Sequence, residues 1–345
     1  MRKLEVGASV YVGLSDYPLD KNIEYLKMLK DVGVKHVFIS AHIPEASESF
    51  LSEFMEVVSY ASSLGLEMIV DISKPMYEKL RLPKIYALRL DYGFTSEDIK
   101  KMYLDNNFIL ELNASTLKKE RLLELESLGI DLKKLRLSHN FYPKVYTGMS
   151  RSYVIEKNKM FHEFGMNVSI YIPSHNMHRP PMYEGLPTVE EHRNMDLAAI
   201  LSEAPLLGAD EVIFSDSYAS LSELEYAINF DYDYFVIPIK LHNIEKNELE
   251  LIYKEHRNRT DATAYFVRSS VRCDSIIEQH DATIRKIGDV TIDNIGMRRY
   301  MGEVCVMLKE LNEDKRVNVV GHAMVDKESL ELIKPDQKFK FKIVE

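Results

Sequence analysis

The sequence predicts an α/β chain, a (β/α)8 TIM barrel followed by a small, mostly β domain. Three observations carry this prediction. Apolar runs of strand character alternate with helically periodic segments along the first two thirds of the chain. A glycine recurs just past the helical segments, at Gly33, Gly65, Gly129, Gly165 and Gly208, where it relieves the left-handed conformation that ends a helix. Beyond about residue 241 the alternation stops, and short β-type runs separated by turn signals replace it.

Taken in order, LEVGASVYV gives a first strand near residues 4–10. A Ser/Asp/Pro turn follows, then a helix with Ile23, Leu26, Leu29 and Val32 on one face. VKHVFIS and LEMIVDIS supply strands near 36–40 and 67–72. KIYALRLDYG and NFILELNAS supply the fourth and fifth, near 85–90 and 108–113, in a stretch without the glycine signal. The sixth and seventh lie near 134–138 and 167–172, joined by a helix marked by Val154, Ile155, Met160, Phe161 and Phe164. The eighth lies near 211–215. Eight such units match the ~250 residues typical of a barrel. A doubly wound sheet usually stops at five or six strands and often carries a Gly-rich phosphate loop after the first. Here that position reads YVGLSDYP, with neither GxGxxG nor a Walker motif. A helix at 220–228 and the strand in YDYFVIPIKLHN lead into ATAYFVRSSV, IRKIGDVTID, GEVCVMLKEL, RVNVVGHAMV and FKFKIVE. The domains are therefore placed at 1–237 and 238–345.

Composition narrows the function classes. Hydrophobic residues make up 46% of the chain, enough for a sizeable core. A net charge of −10 argues against a nucleic-acid partner, which a basic face would serve. The two cysteines, Cys273 and Cys305, lack metal-ligand spacing and suit a reducing compartment. The apolar run at the amino terminus is too short for a signal peptide or a membrane span. The expectation is a cytoplasmic protein without a membrane partner.

In a barrel the chemistry sits at the carboxyl ends of the strands, and residues two apart share the interior face. That parity sends Arg89 and Asp91 together into the mouth, Glu111 and Asn113 from the fifth strand, and Arg136, Ser138 and Asn140 from the sixth. The third strand offers Asp71, the eighth Ser215 or Asp216, the first Ser9 and Tyr11, the second Ser40 and His42. The loops after strands six and seven are rich in His, Asn, Tyr, Arg and Ser, the mark of a ligand rim. His139, His175 and His178 fall there. Paired carboxylates flanked by Tyr, Asn and Arg suit glycoside chemistry, in which one acid protonates the leaving oxygen and a second carboxylate attacks or activates water. Asp91, with Arg89 beside it, is expected ionised as nucleophile or base. Asp216, with no Arg or Lys near it in sequence, is expected to have a raised pKa and act as the acid, with Asp71 and Glu111 in reserve. A metal cluster of His42, Asp71, Glu111, His139 and Asp216 is the competing chemistry, but it lacks tight ligand spacing; no metal and no cofactor are expected. No GxSxG elbow supports a serine triad.

The strings SVYVGLSDY, VFISAHIPE, LRLDYGF, LNAST, HNFYPKVYTGMS, IPSHN, GLPTVEEHR, IDNIGMRRYMGE and RVNVVGH resemble the 6-phospho-N-acetylmuramidase family, in order over essentially the whole chain. The resemblance implies a TIM barrel followed by a cyclophilin-like β domain. It also implies a cytoplasmic glycosidase that cleaves 6-phospho-N-acetylmuramic acid from N-acetylglucosamine in recycled cell-wall (peptidoglycan) disaccharide. Two positions depart from the family pattern: YVGLS in the first loop, where Pro and His are more usual, and Arg298-Arg299 before YMGE. Such a substrate needs cations and N–H donors for its 6-phosphate, and the loop after strand seven offers His175, Asn176 and Arg179. Arg89, Arg136, Arg268, Arg272 and Arg299 are candidates for the lactyl carboxylate. Asn113, His139, Asn140 and Tyr142 complete the expected sugar contacts. The alternatives are a phosphosugar-binding regulatory protein and a metal-dependent phosphosugar isomerase or epimerase. The partner is thus a small phosphorylated disaccharide, with a homo-oligomer left open.

Overall fold

The computed structural model describes residues 3–41, 50–80, 82–105, 107–273 and 275–345. His42 lies outside them. Eight strands close a parallel barrel in sequence order. They are β1 (Glu5–Val10), β2 (His36–Ser40), β3 (Glu67–Ile72), β4 (Ala87–Leu90), β5 (Ile109–Asn113), β6 (Arg136–Ser138), β7 (Val168–Ile172) and β8 (Glu211–Phe214). The closure pairs β1 with β8, Glu5 opposite Glu211 and Ala8 opposite Phe214. The recurring glycines do end helices: Gly33 has φ 91° and donates to Lys30 O at 3.2 Å. Gly65, Gly129, Gly165 and Gly208 share the left-handed φ.

Register places chemistry across the barrel interior. Ser40, Asp71, Arg89, Glu111 and Arg136 are successive partners from β2 to β6. Barrel interiors are usually filled by branched apolar layers; this one carries a chain of charges. At the amino-terminal end His36 Nδ1 lies 2.6 Å from Glu211 Oε1. Glu211 Oε2 accepts from Arg136 Nη2 and from Ser169 Oγ, each at 2.6 Å. Arg136 Nε then donates to Glu111 Oε2 at 3.0 Å, and Ser138 Oγ donates to Glu111 Oε1 at 2.6 Å. Arg89 Nε donates to Ser138 Oγ at 2.8 Å, which brings the chain up to the mouth. Buried charges need such partners, because each alone would carry the desolvation cost unrelieved.

The chain divides into two compact units. One spans Leu4–Asn194 and Leu207–Phe230, and holds the barrel. The other gathers Met1–Lys3, Met195–Leu206 and Asp231–Glu345. Its seven-stranded sheet uses β9 (Tyr234–Leu241), β10 (His256–Arg257), β11 (Phe266–Arg268), β12 (Asp289–Asp293), β13 (Val304–Met307), β14 (Val317–Ala323) and β15 (Lys338–Ile343). The order is β10-β15-β9-β14-β12-β13-β11. Phe235, Ile237, Val290, Ile292, Val306 and Phe339 are buried in it. The helix Leu197–Glu203 belongs here: Ser202 Oγ accepts from Val236 N at 2.9 Å, and Lys342 Nζ meets Asp196 at 2.6 Å. Among the described residues no helix is long and apolar enough to cross a membrane.

Candidate active site

At the carboxyl ends of the barrel strands lies a cavity of about 210 Å³. Its walls are Tyr11, Phe38, Ser40, Asp71, Arg89, Asp91, Asn140, Phe141, Tyr171 and Arg179. Arg89 organises it. Strand parity turns its side chain inward, where Nη1 donates to Asp71 Oδ1 at 2.6 Å and Nη2 to Asn140 Oδ1 at 2.7 Å. With Nε on Ser138 the guanidinium is held on three sides. Burial works against its charge, but Asp71 and Glu111 raise its pKa further, so it stays protonated. Burial pushes the Asp71 carboxyl above its ordinary range; Arg89 pulls it down, and Asp91 pushes it up again. Asp91 itself is exposed at the rim.

Tyr11 closes the opposite wall. Its hydroxyl donates to Ser215 O at 2.7 Å, and the Arg179 guanidinium lies 4.7 Å from its ring centroid. Phe38, Phe141 and Tyr171 meet edge to face, with centroids 5.2 to 5.9 Å apart. The arrangement sets two carboxylates and two guanidiniums against an aromatic wall. It can exchange a proton, stabilise a developing charge and hold an anionic ligand.

Of the residues expected at the site from sequence, the cavity unites Tyr11, Ser40, Asp71, Arg89, Asp91, Asn140 and Arg179. Arg89 pairs with Asp71, whereas the sequence reading set it beside Asp91; register makes residues 71 and 89 neighbours across the β3–β4 ladder. Asp216 is buried, and its carboxyl does rise, through burial opposed by hydrogen bonds. Both its oxygens are taken by main chain: Arg179 N donates at 3.0 Å and Leu186 N at 3.1 Å. It thereby anchors the loop that carries Arg179. Glu111 is fully buried beneath the cavity, and Arg136 lies at the amino-terminal side, held by Glu111 and Glu211.

His139 is a correction to the expected rim position. Next to inward-facing Ser138 it must face outward. It is fully buried, 2.8 Å from Asn158 Oδ1 and 3.3 Å from Ser115 Oγ. Burial brings its pKa down to about 4, so it is neutral. Asn113 Oδ1 accepts from Ser115 N at 3.1 Å, outside the cavity. Tyr142 is half-buried, with its main chain bonded to Pro187 and Arg193. His175 N donates to Glu223 at 2.6 Å, and the Asn176 amide donates to Tyr218 O at 2.9 Å, which ties down the loop after β7. In the second unit Arg268 reaches Glu303 at 2.5 Å, Arg272 also binds Glu303, and Arg299 donates to Tyr300 Oη at 2.7 Å. Asp71, Glu111, His139 and Asp216 do not converge on one point; the His/carboxylate group that does, among the described residues, is Glu5, His36 and Glu211 at the strand starts.

Sequence reasoning passed over Phe38 and Tyr171. The same parity that selected Ser40 turns Phe38 inward, and inward Ser169 implies inward Tyr171.

Residues 6–229 match the family model described as 6-phospho-N-acetylmuramidase, N-terminal, and residues 235–342 match its C-terminal counterpart. Two crystal structures are similar over the full length. One, a conserved Enterococcus faecalis protein of unknown function, is 29% identical, with 98% of this chain and 96% of that chain covered and a TM-score of 0.73. The other, an uncharacterized B. cereus protein, is 26% identical, with 100% of each chain covered and a TM-score of 0.80. No curated protein matches the chain.

Proposed function

The chain belongs to the 6-phospho-N-acetylmuramidase family, and from that premise we propose that it hydrolyses the bond joining 6-phospho-N-acetylmuramic acid to N-acetylglucosamine. The observation that carries this reading is the pairing of Asp71 and Asp91 with Arg89 and Arg179 in one cavity at the barrel mouth. Glycoside hydrolysis needs two carboxyl groups in different protonation states. Burial raises the Asp71 carboxyl, against the pull of Arg89 and with the push of the neighbouring Asp91. Asp71 protonates the bridging oxygen, and the bond from that oxygen to the muramyl anomeric carbon breaks. After the sugar's own N-acetyl oxygen has attacked and the leaving sugar has departed, Asp91 takes a proton from the incoming water, whose oxygen completes the new bond to that carbon. Arg179 suits the phosphate, since a guanidinium pairs with such an anion through charge-assisted hydrogen bonds. The biological setting of this reading is peptidoglycan recycling in the cytoplasm.

Incubation of the purified protein with a chromogenic 6-phosphorylated muramide, with and without EDTA, tests it. Release of the chromophore is expected, and it should persist in EDTA. Binding without turnover would replace the enzyme with a phosphosugar-binding protein. Loss of activity in EDTA would replace the acid–base mechanism with a metal-dependent one.

A further inference from the structure

A second depression of about 470 Å³ opens at the same rim, outside the barrel wall. Its floor includes Leu90 and Leu112, which strand parity turns away from the barrel interior. Tyr92, Phe94, Asn113 and Thr116 stand around it. Asp91 is the residue common to this groove and to the mouth cavity. The top of β4 is thus where a chain of two rings would pass from the inside of the barrel to the outside.

The two recesses differ in their lining. The mouth cavity sets the guanidiniums of Arg89 and Arg179 beside Asp71 and Asp91, and through Arg179 it suits an anionic ring. In the groove Arg121 is answered within it, by Glu124 at 3.3 Å and by Phe94 O at 3.3 Å. Lys118 and Glu120 are exposed and opposite in sign. Nothing there calls for a charged ligand. What the groove offers is an apolar floor, an aromatic ring that is 51% exposed at Tyr92, and amide and hydroxyl groups at Asn113 and Thr116. Mostly apolar walls with a few placed polar groups, at a volume of roughly 300–1,000 Å³, are the usual make-up of a small-molecule site. An uncharged pyranose matches it, its C–H face on Tyr92 and its hydroxyls toward the polar groups.

We infer that this groove receives the leaving sugar, an uncharged N-acetylated pyranose, and that Asp91 marks the bond to be cut between the two recesses. The inference rests on the glycosidase reading above. It makes Tyr92 and Thr116 determinants of leaving-group specificity without a part in bond cleavage.

Two substrates with the same phosphorylated muramyl ring separate the effects: the disaccharide, and the glycosyl fluoride of 6-phospho-N-acetylmuramic acid, whose leaving group is one atom. Tyr92→Ala removes the stacking face, and Thr116→Trp fills the groove from an exposed position. Each variant should lower kcat/KM on the disaccharide by about tenfold or more, mainly through KM, and leave the fluoride within about twofold. An equal loss on both substrates, or an unchanged disaccharide rate in both variants, overturns the inference. Failure of the unaltered protein to cleave either substrate overturns the glycosidase reading itself, and is distinguished by that double failure.

Discussion

Arg89 shows how far single residues could be read in advance. Alternation along β4 placed Arg89 and Asp91 on one face, and both do line the mouth cavity. The partner of Arg89 was not legible, because a ladder's register decides it, and register sets Asp71 opposite. His139 failed for a related reason: proximity to a strand end suggested the rim, but the parity of a single position turned it into the helix layer. Arg179 was found from its loop, and its prediction belongs at this scale. Arg179→Gln should raise KM for the phosphorylated substrate roughly ten- to hundredfold, the worth of one charge-assisted contact of about 1.5–3 kcal/mol. kcat, and the rate on the unphosphorylated analogue, should stay near the starting values. Steady-state kinetics on the two substrates checks it, and an equal loss on both would assign Arg179 to shaping Tyr11 and the loop.

Among elements, the strands were the most legible, since each is a short apolar run between a glycine or turn and a polar loop. The charged chain inside the barrel was not, because its members are far apart in sequence and meet only on closure. Glu211 is its lower anchor. Burial alone would raise its carboxyl, but His36 and Arg136 hold it down at about 2, against 4.5 for a free side chain. A folded-state pKa below the unfolded one favours the ionised form. The stabilisation is therefore present above pH 4.5 and is lost as pH falls toward 2, to the extent of roughly 3 kcal/mol. His139, lowered by burial to about 4 from 6.5, gives a separate loss between pH 6.5 and 4. Glu211→Gln should be destabilised at pH 7 by about 3–5 kcal/mol, because Arg136 loses a buried partner. Its further loss between pH 4.5 and 2 should be smaller than that of the unaltered protein. Denaturant titrations across pH measure both, and an unchanged slope below pH 4.5 would show that Glu211 does not carry it.

For the whole molecule, the barrel followed from counting strands, and the second sheet from the change of pattern after β9. The helix Leu197–Glu203 shows what counting cannot supply. In sequence it is the crossover between β7 and β8, yet it is gathered with β9 through Ser202 and Val236. A periodic apolar face says that a helix packs, not on what. The cavity, likewise, draws on β1, β2, β3, β4, β6, β7 and their following loops, which the closed barrel alone assembles. The most direct measurement is product analysis with 6-phospho-N-acetylmuramyl-N-acetylglucosamine, comparing the unaltered protein with Asp91→Asn at matched thermal stability. The account predicts release of both sugars by the unaltered protein and a kcat lower by about 10²-fold or more in the variant, the usual contribution of one acid–base group. Near-normal turnover by folded Asp91→Asn would contradict it.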